Sequence, residues 1–173
     1  MARVIASNQL FAADPVREFE QNFLEYTGTS FAKGVGNATQ GLHLSLAALD
    51  IGEGDEVIVT PYTFIASASS ILMQNAVPVF CDCDAQTRAL SAEKIEPHIS
   101  SRTRAIIVVH MFGYPADMDP ILELARNHGL AVIEDASHAY GAEYKGRRCG
   151  GIGDLGVFSM HQRKSLSAGD GGI

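Results

Sequence analysis

Short, nearly continuous apolar runs alternate along the chain with stretches that carry apolar residues at helical spacing. The runs are Glu56–Thr60 (EVIVT), Val77–Cys81 (VPVFC), Arg104–His110 (RAIIVVH), Leu130–Glu134 (LAVIE) and Leu155–Ser159 (LGVFS). Their shortness and β-branched content predict strands. Residues 16–26 place Val16, Phe19, Phe23 and Leu24 on one helical face, ended by Gly28. Residues 39–50 predict a second helix, capped by Asn37 or Thr39 and broken at Gly52-Glu53-Gly54. Phe64–Gln74, Ser91–Ile99 with Ser91 as cap, and Asp117–His128 before Gly129 predict three more. Strands that are apolar throughout, separated by helices, predict an α/β fold: a mostly parallel sheet covered by helices on both faces. Ligands of such sheets gather just beyond the strand C-termini. The polar residues at those points are therefore the candidates for chemistry.

Composition narrows the class. A length of 173 residues suffices for one domain with a real core, and 46% apolar against 19% charged residues is a folded composition. Thirteen Lys plus Arg against twenty Asp plus Glu leave a net charge of −7, which argues against nucleic acid or an anionic membrane as partner. No apolar run reaches the roughly 18 residues of a membrane span, and no charged-then-apolar leader opens the chain. The expectation is a cytoplasmic protein. Three cysteines do not form a disulfide framework. Cys81 and Cys83 read as small buried hydrophobes, and with no further ligands at a convincing spacing no metal is expected.

Three places carry candidate chemistry. Asp135 follows the run Leu130–Glu134, where a carboxylate among apolar neighbours needs a cationic or hydrogen-bonding partner; it also suits a cap for whatever follows. His138, three residues on, can turn to the same pocket or be structural. The turn Gly36-Asn37-Ala38-Thr39-Gln40-Gly41 leads into a helix, which suits a phosphate as well as a plain capped turn. It matches neither the dinucleotide glycine fingerprint nor a Walker loop. Last, Phe158-Ser159-Met160-His161-Gln162-Arg163-Lys164 runs into Gly169-Asp170-Gly171-Gly172. A hydroxyl, an amine and bare backbone can meet there, and a desolvated lysine amine is nucleophilic. A solvated basic loop at Arg163-Lys164 is the other reading.

The order of these segments is more specific than any one of them. GVGNATQGLHLSL, GDEVIVTPYTFIAS, PVFCDCD, RAIIVVHMFGYPADMD, VIEDASHAYGA, GDLGVFSMHQRKSL and GDGG follow one another as in the DegT/DnrJ/StrS-type sugar aminotransferases, which the chain resembles from about Val16 to its end. The resemblance implies the large domain of a fold-type I pyridoxal-phosphate transferase. Lys164 matches the family's Schiff-base lysine, and Asp135 the carboxylate that pairs with the pyridinium nitrogen; these two are the implied catalytic residues. His138 falls near the cofactor's 3-oxygen, and Phe64 matches the aromatic residue stacked on the ring. Thr39 and Gln40 match the phosphate-binding turn, and Ser159 a further phosphate-binding hydroxyl. The implied reaction moves an amino group from glutamate or glutamine to a keto sugar, nucleotide-linked, or to an aminocyclitol precursor. A dehydrating branch of the family has His in place of the lysine; position 164 is Lys, which favours the transferase. A lyase or dehydratase of the same fold and an inactive remnant are the alternatives.

Two departures accompany the resemblance. The family's Gly-Glu-Gly-Gly is Gly169-Asp170-Gly171-Gly172 here, and Ile173 follows it directly. Family members continue through the rest of the large domain and a smaller C-terminal domain, and work as homodimers whose partner lends residues to the site. Residues 1–173 are therefore expected to be a partial large domain, with the rest of that domain and the small domain absent. Apolar surface and open sheet edges should remain exposed. The 173-residue chain alone is expected to aggregate and to turn over very weakly if at all. Light scattering and an activity assay check this; a soluble monomer with normal turnover would contradict it.

Overall fold

The computed structural model describes residues 2–8 and 13–173. Helices α1 (Ala2–Ser7), α2 (Asp14–Thr27) and α3 (Ala38–Ala48) precede strand β1 (Glu56–Val59). Helix α4 (Ala66–Met73), β2 (Val77–Phe80), the short α5 (Ala92–Ile95) and β3 (Thr103–Val109) follow. Next come α6 (Met118–His128), β4 (Ala131–Asp135), a small hairpin β5 (Glu143–Tyr144) and β6 (Arg147–Arg148), and β7 (Leu155–Val157). The main sheet has the order β2-β1-β3-β4-β7, and each of its pairings is parallel. All five strand C-termini consequently point to one end of the sheet.

Period-two alternation divides the core into two layers. Ile58, Ile106, Val108 and Val132 face the layer with Phe23 of α2 and Met118 and Ile121 of α6. Val57, Val59, Ile107 and Ile133 face the layer with Leu42 and Leu46 of α3 and Ile71 of α4. Both faces of β1, β3 and β4 are covered, as their continuous apolar runs require. At the edge, β2 is only partly buried, because it pairs with β1 alone. Large apolar side chains stay exposed elsewhere, among them Phe31, Phe64, Ile65, Phe112 and Tyr114.

Local rules account for most boundaries. Pro15 sits in the first turn of α2, whose end is closed by left-handed Gly28 donating to Leu24 O. Asn37, not Thr39, caps α3 by accepting from Gln40 N. The stretch 91–99 departs from expectation: Ser91 makes no side-chain cap, α5 stops at Ile95 and a 3₁₀ turn spans Glu96–His98. Pro97 removes an N–H from the α ladder there. The β5–β6 hairpin, unpredicted, turns on left-handed Lys145 and Gly146. Cys81 and Cys149 are buried and free, and burial with nearby Glu134 pushes the Cys149 thiol up to about 12.

One buried carboxylate ties the site end of the sheet together. Glu134, penultimate in β4 and fully buried, accepts from His110 Nε2 at 2.9 Å and from the N–H groups of Gly150, Ile152 and Gly153 at 2.6–2.7 Å. His110 Nδ1 accepts from Ala116 N, so the proton lies on Nε2 and points at Glu134. Burial raises the Glu134 carboxyl pKa, but the His110 and backbone donors outweigh it and hold the group below its ordinary 4.5. A carboxylate with a lowered pKa stabilises the fold fully above its unfolded value, and that contribution drains as pH falls through the lowered one. Glu134→Gln should destabilise the protein by about 3 kcal/mol at neutral pH, because its amide leaves buried donors unpaired. Acid titration of unfolding should then show that the variant loses less stability than wild type below pH 4.5.

Candidate active site

A cavity of about 360 Å³ opens at the C-terminal end of the sheet. Its wall is assembled from the segments that leave β1, β3, β4 and β7, and from the first turn of α3. This is where parallel strands deliver their loops. Six of the seven residues singled out from the sequence line it: Thr39, Phe64, Asp135, His138, Ser159 and Lys164. Gln40 does not. Its side chain turns back and accepts from Gly36 N at 3.1 Å, bracing the turn that precedes α3. A Cβ at Gly36 would lie 2.5 Å from that Gln40 oxygen, so a larger residue there would push the Gln40 side chain aside.

Asp135 ends β4 with its carboxylate buried. Oδ2 accepts from Ser67 Oγ at 2.8 Å, and Oδ1 accepts from Ser137 N at 3.2 Å. Ser67, in α4, is itself 2.8 Å from Thr63 Oγ1, which makes a short hydroxyl chain ending on the carboxylate. Asp135 thus closes a local turn, with no helix following for it to cap, while remaining on the cavity wall. Adjacent residues of β4 divide the labour: Glu134 faces one layer and Asp135 the other.

Lys164 lies in the turn of an antiparallel return. Phe158 and Ile173 exchange both backbone hydrogen bonds, Met160 N donates to Gly171 O, and Gln162 N donates to Gly169 O. Gly172 joins Val35 on its other side. A Cβ on Gly172 would stand 2.8 Å from Ala38 N, so only glycine lets this return pack against the start of α3. Ser159, buried, holds its carbonyl on the Tyr140 hydroxyl at 3.1 Å. Burial, with Tyr26 nearby, pushes Tyr140 up to about 12, which keeps it a donor.

The electrostatics shift the Lys164 amine toward its neutral form. Partial burial pushes the Lys164 pKa down, and the Asp135 carboxylate opposes that only in part. His138 is lowered by burial and by the Lys164 cation, against an opposing pull from Asp135. At the start of α3, first-turn N–H groups lack intrahelical acceptors and the helix dipole favours an anion beside Thr39. The buried Ser137 Oγ, also on the wall, makes no hydrogen bond. Ser67, Thr63 and Ser137 were not legible in the sequence. The only hint was the Ser/Thr-rich stretch before and within α4, which composition reads as ordinary helix.

The sequence profile of the DegT/DnrJ/EryC1/StrS aminotransferase family matches residues 1–173. GDP-perosamine synthase of Caulobacter vibrioides is 49% identical over 90% of this chain and 42% of its own length. L-glutamine:2-deoxy-scyllo-inosose aminotransferase of Streptomyces fradiae is 44% identical over 90% of this chain and 37% of its own. The structure of DesV from S. venezuelae in complex with a ketimine intermediate superposes with a TM-score of 0.96 at 41% identity, over 99% of this chain and 46% of that one. The chain thus spans less than half the length of the relatives it matches.

The opposed influences on Lys164 give a prediction with a sign. Reductive methylation followed by NMR titration should place its amine below the ordinary 10.5. Asp135→Asn should lower it further, because the substitution removes the anion that favours the ammonium form. A rise on that substitution would contradict the electrostatic account.

Proposed function

Because the chain belongs to the DegT/DnrJ/EryC1/StrS aminotransferase family, we propose that it carries the cofactor-binding part of a pyridoxal-phosphate-dependent aminotransferase. The observation that supports this most is the convergence of Lys164, Asp135, Thr39, Phe64, Ser159 and His138 on one cavity. The donor set suits the group. Thr39 and the start of α3, with the Ser159 hydroxyl, fit a phosphate. Asp135 fits a ring nitrogen that must keep its proton, Phe64 offers an aromatic face, and the unpartnered Ser137 hydroxyl has a hydrogen bond to give. Gln40 is left out of this set, because its side chain is engaged with Gly36.

Bound there, pyridoxal phosphate supplies a carbonyl carbon that takes up amines and a protonated ring that draws electrons from the reacting carbon. The protein's own residues do the rest. Lys164 would anchor the group through its amine and, when free, would carry the proton at the donor's α-carbon as base and then acid. Its lowered pKa serves both tasks. Asp135, fixed by Ser67 and Ser137, would keep the ring nitrogen protonated. His138 stands at the wall beside Lys164.

The acceptor in this reading is a keto sugar, nucleotide-linked, or a keto cyclitol, and the donor is glutamate or glutamine. The similarity to GDP-perosamine synthase and to an L-glutamine-dependent cyclitol aminotransferase supports that pair of classes. Residues 1–173 act as part of a large domain, in a cytoplasmic homodimer. No helix among the described residues is long and apolar enough to cross a membrane.

Titration of the protein with pyridoxal phosphate should produce a visible absorbance band that Lys164→Ala abolishes. With a keto sugar nucleotide and glutamate, release of 2-oxoglutarate separates amino transfer from elimination. In the full-length protein the same substitution should lower turnover by at least about 100-fold. Absence of any lysine-dependent band would sink the reading.

A further inference from the structure

The loop between β3 and α6 holds one residue against its intrinsic preference. Phe112 sits at φ 55°, ψ 22°, in the left-handed region where Cβ crowds the following carbonyl. The other left-handed non-glycine residues among those described are Asn8, Asp50, Asn75, Arg88 and Lys145, none of them aromatic. Such strain persists only where the surroundings over-determine it. Burial does not explain it, since Phe112 is 69% exposed.

Its contacts do. The Phe112 ring lies flat on the imidazole of His138, with centroids 5.8 Å apart and planes 10° from parallel. Tyr62 meets the same ring edge-on at 6.5 Å and 73°. Gly113, also left-handed at φ 82°, seats the backbone against the same target: a Cβ there would lie 3.2 Å from the His138 carbonyl oxygen. Two consecutive left-handed residues thus press a ring and a stretch of main chain onto His138. His138 lines the cavity and Phe112, which it contacts, does not.

We propose that Phe112 is a positioning residue whose strained turn clamps the His138 imidazole flat at the cavity wall, in the orientation that receives the cofactor. The inference rests on the assignment of this cavity to pyridoxal phosphate. The ring contacts with His138 and Tyr62, rather than hydrophobic burial, account for an aromatic side chain in a conformation that glycine adopts freely.

The test is a fluorescence titration with pyridoxal phosphate, paired with thermal melts. Phe112→Gly removes the ring and relieves the backbone, so the melting temperature should hold or rise while the dissociation constant increases about fivefold, equivalent to ~1 kcal/mol. Phe112→Leu keeps apolar bulk without an aromatic face and should weaken binding similarly. Phe112→Tyr should bind as wild type does. If Phe112→Gly or Phe112→Leu binds the cofactor with wild-type affinity, the clamp is wrong. A melting temperature lowered by several degrees with affinity unchanged would show a merely structural contact and overturn it too. Failure of the wild-type protein to bind pyridoxal phosphate through Lys164 would instead overturn the assignment of the cavity, a distinguishable result.

Discussion

The site end of this fold depends on where the Glu134 carboxylate finds its partners. A fully buried carboxylate survives only when hydrogen-bond donors replace its lost water. Here they come from two separate places: the end of β3 through His110, and three N–H groups of the loop that leads into β7. Satisfying one charge therefore fixes the spacing of β3, β4 and the approach to β7. Through His110 Nδ1 and Ala116 N it also fixes the loop before α6.

The neighbouring carboxylate has the opposite circumstances. Strand geometry turns Asp135 to the other layer, where one hydroxyl and one backbone N–H engage it and the cavity begins. Two adjacent acids thus lie one in the core and one on the cavity wall without competing for donors. The rest of the wall follows from the parallel sheet. Strands that run the same way must all release their loops at one end, and residues as distant in sequence as Thr39 and Lys164 meet there.

Glycine sets how closely those loops approach. Gly172 lets the Lys164 return lie against the start of α3, and Gly156 lets β7 pass the backbone of Gly150, whose oxygen a Cβ would meet at 2.0 Å. The amine, the helix N-terminus and the buried hydroxyl of Ser159 come into one cavity because nothing larger than hydrogen intervenes at these crossings. Phe112 is the converse case: a bulky residue held where glycine would be easier, with its ring spent on His138.

Much of the fold was legible in the chain alone. Five apolar runs became the five strands of the main sheet; in β1, β3 and β4 they are buried on both faces, while the edge strands β2 and β7 are only partly covered. The helices around Phe23, Leu46 and Ile121 followed from their spacing. The order of the segments carried the family, and with it the list of site residues, six of which line one cavity. What the sequence could not carry was the partnership of each polar side chain. Ser67 lies 68 positions from Asp135, and nothing local distinguishes its hydroxyl from that of any other helical serine. Gln40 and Thr39 are neighbours in one turn, yet only Thr39 reaches the cavity, because Gln40 is needed at Gly36. Glu134 read as the end of a strand, and its role depends on donors brought from elsewhere. Periodicity and turn chemistry act over a few residues and determine elements; hydrogen-bond partners across a sheet are set by packing, which only the folded chain decides.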